Sequence, residues 1–176
     1  TMRSVDLASL VRFFESPIDL SGQLSGETSG IVDPSFLDQP EAEFDFNIAK
    51  ARLLPSNIPT PIGPIPLPGF EFQSLTVAGN MKAGVIKVEK LNLGSAKDEL
   101  SAKIAGQVDF RMIAGGGQVR PQVGAFDLSI ELDLLVSAEQ KLGTYWSILE
   151  GQISQYKRSG PDGRKSYAFR VSAPGI

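Results

Sequence analysis

Phe126-Asp-Leu-Ser-Ile-Glu-Leu-Asp-Leu-Leu-Val136 alternates apolar and polar side chains through almost its whole length. Successive side chains of a strand point to opposite faces, so Phe126, Leu128, Ile130, Leu132, Leu134 and Val136 line one greasy face. Leu100, Ile104, Val108, Phe110 and Met112 make a second such run just before it. Two neighbouring runs of this kind describe an antiparallel sheet that packs on one side and meets water on the other. If both even-numbered faces are buried together, the pairing parity is set, because a one-residue slip turns a whole face over. That reading places Phe110 opposite Leu128 and Arg111 opposite Asp127, with a loop around Gly115 to Gly124, and puts Ile130 in the core.

Working outward, Glu41 to Ile48 alternates again, with Phe44, Phe46 and Ile48 against Glu43, Asp45 and Asn47. Ile18, Leu20 and Leu24 alternate through glycines that weaken a strand or mark bulges, and read as one or two short strands. Phe70 and Phe72 are followed on the other parity by Leu75 and Val77, which predicts a bulge near Gln73 or Ser74. Ala83-Gly84 supplies a turn, and Val85 to Leu93 repeats the parity slip. Repeated bulges imply a bending sheet. Pro55, Pro59, Pro61, Pro64, Pro66 and Pro68 cannot donate ladder hydrogen bonds, so that segment is an extended surface connection or an edge.

Helical spacing appears twice. Leu7, Leu10, Val11 and Phe14 predict a short amphipathic helix behind Ser4 and Asp6 as caps. Leu142, Tyr145, Trp146, Leu149, Ile153 and Tyr156 predict a longer one from Ala138 to about Lys157, with Gly143 and Gly151 as places for a break. Tyr167, Phe169 and Val171 form a last strand, ended by Pro174. The expected fold is mainly β: one domain over residues 1–176 with a strongly curved antiparallel sheet, half-barrel or β-sandwich-like, plus a short N-terminal helix and a longer helix near the C-terminus.

Composition narrows the function. The 176 residues carry 17 basic and 20 acidic side chains, net −3, with no electrostatic footprint for nucleic acid. There is no His and no Cys, which removes thiolate chemistry, Cys-based zinc sites and the usual general base for a serine nucleophile. Glu41, Glu43 and Asp45, and separately Asp127, Glu131 and Asp133, contain carboxylate pairs of the kind glycoside hydrolysis uses. Both sets sit on the polar parity of half-buried strands, where solvated carboxylates are expected. Gly115-Gly116-Gly117 lacks the Lys and Ser/Thr of a phosphate loop and reads as a hairpin loop. Pro61-Ile-Gly-Pro64 fits the loose pattern of Pro-rich ligands, but its apolar neighbours favour packing on its own domain. Tyr145 and Trp146 read as core rather than a partner face. No catalytic, cofactor or metal site is expected.

The order of pieces carries a resemblance. Asp19-Leu-Ser-Gly-Gln-Leu-Ser-Gly26, Phe70-Glu-Phe72, the turn at Ala83-Gly84, Lys90-Leu-Asn-Leu-Gly94, Asp98-Glu-Leu-Ser-Ala-Lys-Ile-Ala-Gly106 and Ser166-Tyr-Ala-Phe-Arg-Val-Ser-Ala-Pro174 follow one another. This pattern resembles the type II secretion system protein N family, in the divergent form of delta-proteobacteria, Bdellovibrio-like bacteria and spirochaetes. The chain departs from it at Ala173, where the family usually has Gly. The resemblance implies the periplasmic domain of an inner-membrane protein, with a membrane anchor outside this chain; separately, Thr1 before Met2 reads as a cloning remnant. It implies a non-catalytic accessory or scaffold of the secretion machinery, with other secretion components of the inner membrane or periplasm as partners. The family resembles, more distantly, large envelope proteins whose curved sheets form lipid-carrying grooves. That supplies a second expectation: an apolar face of Phe126, Leu128, Ile130, Leu132 and Leu134 left open to lipid or another hydrophobic ligand.

Overall fold

Each alternating run becomes a strand of one antiparallel sheet in the computed structural model of the chain, which describes residues 2–6, 19–35, 38–58, 65–115, 118–160 and 163–174. Among these, β1 (Met2–Asp6), β2 (Leu20–Ile31), β3 (Glu41–Leu53), β6 (Phe70–Lys82), β7 (Val85–Leu93), β8 (Leu100–Gly115), β9 (Gln118–Leu134), β10 (Lys157–Ser159) and β11 (Lys165–Ala173) share the sheet. Its order is β1-β2-β3-β6-β7-β8-β9-β11-β10. The Pro-rich segment makes a separate small hairpin, β4 (Ser56–Ile58) with β5 (Ile65–Leu67), rather than an edge of the sheet. Residues 59–64 and the N-terminal helix expected over Leu7 to Phe14 lie outside the described residues, whereas Ser4 and Asp6, expected as its caps, are in β1.

The sheet is open, which corrects the expected half-barrel or sandwich. Closing a barrel requires the two edge strands to pair, and β1 and β10 stand at opposite ends of the order. The irregularities read as curling instead change which side chains face the core. In β7 the predicted slip is present between Val88 and Leu91 on both ladders. In β6 no shift occurs at Gln73, since its register with β3 is constant from Phe70 to Met81. The parity changes there because β3 changes with it, at Lys50, whose φ is 52°.

The β8–β9 hairpin obeys the parity rule but in another register. Phe110 pairs with Val123 and Arg111 with Gln122, instead of Leu128 and Asp127, which face Gly106 and Gln107. Asp109 faces two residues, Gly124 and Ala125, in a bulge, so Val123, Pro121 and Val119 rejoin the face of Phe110 and Met112. The strands therefore run through most of the expected loop. Pro121 is tolerated because β11 ends opposite Phe126, which leaves this part of β9 as an edge. Gln39 steadies the other side: its amide accepts from Met112 N–H at 2.8 Å and donates to Met112 C=O at 3.0 Å, standing in for a neighbouring strand.

The predicted long helix is two: α1 (Val136–Leu142) and α2 (Thr144–Ile153), parted by Gly143 at φ 58°. A positive φ stops helical bonding and suits glycine. The second helix ends at Ile153, and Lys157 and Arg158 lie in β10, not in a last helical turn. Gly151 does not break α2, and a Cβ there would meet nothing within 4 Å. Gly151→Ala is expected to raise stability by about 0.5–1 kcal/mol, read as a higher urea midpoint with an unchanged slope. No helix of the described residues is long and apolar enough to cross a membrane.

The fully buried residues concentrate at the helix end of the sheet. Ala138, Trp146 and Ile153 from the helices share a cluster with Leu134, Tyr167, Phe70, Phe72, Ile48, Ala51 and Leu24 from the strands. Of the predicted helical stripe, Trp146 and Ile153 are buried while Tyr145, Leu149 and Tyr156 are exposed. The break at Gly143 reorients the second helix, so a single stripe does not pack.

Candidate functional site: an apolar sheet face beyond the helices

Strand pairing gathers apolar side chains into rows across the sheet. Phe46, Val77, Leu91, Ile104, Ile130 and Phe169 stand side by side in consecutive strands from β3 to β11. The next row away from the helices is Phe44, Gly79, Val88, Gly106, Leu128 and Val171. A third is Ala42, Met81, Ile86, Val108, Phe126 and Ala173. None of these positions carries a polar side chain. Apart from Gly79, none is fully buried; the rest are half-buried, the state of side chains that shield one another within a sheet with nothing described above them. The rows span five strand spacings, ~24 Å at ~4.8 Å each, by ~14 Å along the strands, on the order of 300 Å². An uninterrupted apolar patch of that size exceeds scattered surface hydrophobics and matches the largest patch of an ordinary monomer, which often serves a function.

The residues expected to form this face divide along β9. Phe126, Leu128 and Ile130 lie in the three rows. Leu132 packs against the core, and Leu134 has 0% exposure, so it belongs to the core rather than to an accessible surface. Ile130, expected to be buried, is half-buried.

Close packing of backbone within the face explains one glycine. A Cβ on Gly106, at φ 147°, would sit 2.1 Å from the Asp127 carbonyl oxygen. In the same row a Cβ on Gly79 would sit 2.2 Å from the Lys87 carbonyl oxygen and 3.0 Å from the Phe44 ring, so Gly79 is buried under Phe44, with Val88 between the two glycines.

The opposite face is polar and internally paired. Glu41 pairs with Lys82, Lys103 with Glu131 and Arg52 with Glu71 across strands. Asp133 accepts from the Ser166 hydroxyl, and Asp127 accepts both guanidinium bonds of Arg170, which holds its carboxyl below the usual range. Glu43 and Asp45 are exposed on the same face. A hollow of about 610 Å³ there includes Lys87, Glu89, Gln107, Asp127, Ser129 and Arg170 in its lining. Its charges are engaged, Arg170 with Asp127 and Lys87 with Glu89 at 3.9 Å. The carboxylates singled out in the sequence therefore sit in cross-strand pairs or in water rather than flanking a common point.

One polar cluster lies on the apolar side, where the helices meet the sheet. Lys165 in β11 donates to Glu139 of α1 at 2.9 Å and to Glu150 of α2 at 3.0 Å. The Tyr167 hydroxyl donates to the same Glu150 oxygen at 2.7 Å. The bond from Tyr167, and then that from Lys165, lowers the Glu150 pKa. The bonds to Glu139 and Glu150 raise that of Lys165. Burial, reinforced by Glu150, pushes the Tyr167 hydroxyl up to about 12. A lysine held protonated and a carboxylate held ionised are poor acid–base catalysts at neutral pH, so this cluster fastens the helices to the sheet.

Linkage gives its pH dependence. The depressed Glu150 stabilises the fold above its ordinary pKa of 4.5 and loses that contribution as pH falls through its lower folded value. The raised Lys165 stabilises the fold below its ordinary 10.5 and loses that as pH rises through its higher folded value. Lys165→Met is expected to cost about 1–2 kcal/mol at neutral pH and to flatten the loss of stability at low pH, measured by urea unfolding across pH.

Two further positions were illegible as special. Arg164 is 8% exposed and donates to the carbonyls of Ala96 at 2.7 Å and Asp98 at 2.5 Å. Gln39 is described above. Neither residue has a periodic or motif signal, because its partners are backbone atoms far away in sequence.

No family model matches this chain, nor does any curated protein or solved structure.

Proposed function

We propose that the chain is a non-catalytic module of the bacterial envelope whose apolar sheet face receives the acyl chain of a lipid, or a hydrophobic ligand of similar shape. The observation that carries this reading is the set of three continuous apolar rows beyond α1 and α2. Half the hydrocarbon thickness of a bilayer, about 15 Å, is the reach of one acyl chain, which lies within the ~24 Å strip. An acyl chain needs no hydrogen bonds from the protein, and these rows offer none.

The experiment is native mass spectrometry of protein purified without detergent, followed by lipid extraction. Copurifying lipid supports the reading; its absence, with no binding of added fatty acid, eliminates it. Leu128→Asp places a carboxylate in the middle row without entering the buried cluster. It is expected to leave the fold intact, at a cost of about 1 kcal/mol, while lowering fatty-acid affinity at least about tenfold.

A second reading rests on the resemblance to type II secretion system protein N. In it the domain is a periplasmic scaffold that contacts other secretion components, anchored to the inner membrane by a segment outside this chain. The ordered segments from Asp19-Leu-Ser-Gly to Ser166–Pro174 support it. Pull-down from envelope extracts tests it, since recovery of no secretion component, with secretion unchanged on deletion, sinks it.

A further inference from the structure

The three apolar rows end differently at their two sides. Beyond β3 the sheet continues into β2, where Gly26 faces Phe46, Thr28 faces Phe44 and Gly30 faces Ala42. None of these is a cation, and the Thr28 hydroxyl already donates to the Glu43 carbonyl oxygen at 3.0 Å. The charged positions of β3 beside them, Glu43 and Asp45, are exposed carboxylates. At the other side the rows stop near the sheet's edge. The ring of Tyr156, 43% exposed, lies 6.2 Å from that of Phe169, the last residue of the first row. Lys157 pairs with Tyr167, which is two residues from Phe169 and shares its face. Lys157 therefore stands on the apolar side, ~7 Å along the strand from the row that ends at Phe169. The Glu150 carboxyl, held low first by its bonds from Tyr167 and Lys165, also feels the Lys157 charge. The acids of both helices, Glu139 and Glu150, are bonded to Lys165, so Lys157 is exposed and in no ion pair among the described residues.

From this asymmetry, and resting on the acyl-chain reading, we infer that the ligand is a single-chain amphiphile with an anionic head, which lies across the strands with that head at the β11 edge beside Lys157 and its tail toward β3. An ionised head keeps its hydration only at a margin of an apolar face, since taking the charge onto the rows themselves is costly. A cation at the β11 margin favours it there, and carboxylates near the β3 margin oppose it at the other end. Tyr156 lies between head and tail, with a ring that packs on Phe169 and a hydroxyl suited to the wet end of the ligand. Three strand spacings, ~14 Å, then bring the methyl end of the tail over β7, within the reach of one acyl chain. A carboxylate and a phosphate monoester both meet this chemistry, because each accepts charge-assisted hydrogen bonds from an ammonium.

The test measures binding of laurate, dodecyl phosphate and uncharged dodecanol by calorimetry to the unaltered chain, Lys157→Gln and Lys157→Arg. Circular dichroism checks that each variant is folded, as an exposed position allows. Lys157→Gln is expected to weaken the two anions about fivefold, the upper end for an exposed ion pair, and to leave dodecanol unchanged. Lys157→Arg should keep the affinity for both anions. Tighter binding of laurate assigns the head as a carboxylate, and tighter binding of dodecyl phosphate assigns it as a phosphate. Laurate carrying a diazirine next to its head should label Tyr156 and β11, and one carrying it at the tail end should label Val88 and Leu91 of β7. Anion affinities unmoved by Lys157→Gln, a loss shared equally by dodecanol, or labels in the reverse order overturn the head's placement and leave the acyl-chain reading standing. Binding of none of the three probes overturns both.

Discussion

Leu134→Asp is expected to abolish cooperative unfolding and leave the chain without fixed tertiary structure. Leu134 has 0% exposure, pairs with Leu100 on one side and Lys165 on the other, and belongs to the cluster beneath the helices. A carboxylate there loses its hydration. The cation facing it, Lys165, already holds Glu139 and Glu150, so a third carboxylate finds no free partner. An unpaired buried charge costs more than about 4 kcal/mol, comparable with the whole stability of a domain. The check is near-ultraviolet circular dichroism and thermal melting. Ser129→Asp, on the exposed face beside Arg170, should melt within a few degrees of the unaltered chain. The contrast with Leu128→Asp, on the same strand and face, separates the end of the sheet beneath the helices from the end where no described element lies above the strands.

Trp146→Ala is expected to cost about 3–5 kcal/mol. Trp146 is 4% exposed, and its ring meets Tyr167 edge-on with centroids 5.5 Å apart. Truncation opens a cavity between α2 and β11, and loosens the seat of the Lys165 cluster. Its buried Nε1 has no hydrogen-bond partner among the described residues, so Trp146→Phe removes a desolvated donor along with some volume. That substitution should cost much less, about 1 kcal/mol. Tyr145→Ala, next in sequence but 37% exposed, should fall below 1 kcal/mol. Urea midpoints of the three variants rank these effects.

Alternation made the strands legible, because period 2 is a local property of the chain. Glu41 to Ile48, Leu100 to Met112, Phe126 to Leu134 and Tyr167 to Val171 all lie within strands. Ala83 and Gly84 both adopt positive φ in the predicted turn between β6 and β7. Register was less legible. Parity set which residues share a face, but not which pairs meet, and the Gly124–Ala125 bulge moved Val119 to Val123 from loop into strand. Curling is not legible from a parity slip in one strand, because the slip of β6 is matched in β3. The apolar face was legible in part: β9 displayed Phe126, Leu128 and Ile130, but not that Leu134 lies under helices while they do not. What covers a strand position is settled by distant elements, and no local pattern records it.

The central claim, an acyl chain lying on the open rows, is tested most directly by photocrosslinking. The chain is incubated with a fatty acid carrying a diazirine midway along its tail, irradiated, and digested for mass spectrometry. The account predicts adducts concentrated on the β7, β8 and β9 peptides that contain Val88, Val108, Phe126 and Leu128, reduced by competing unlabelled fatty acid and by Leu128→Asp. Adducts confined to the exposed outer side of α2 at Tyr145, Ile148 and Leu149, or spread without competition over the whole chain, would contradict it.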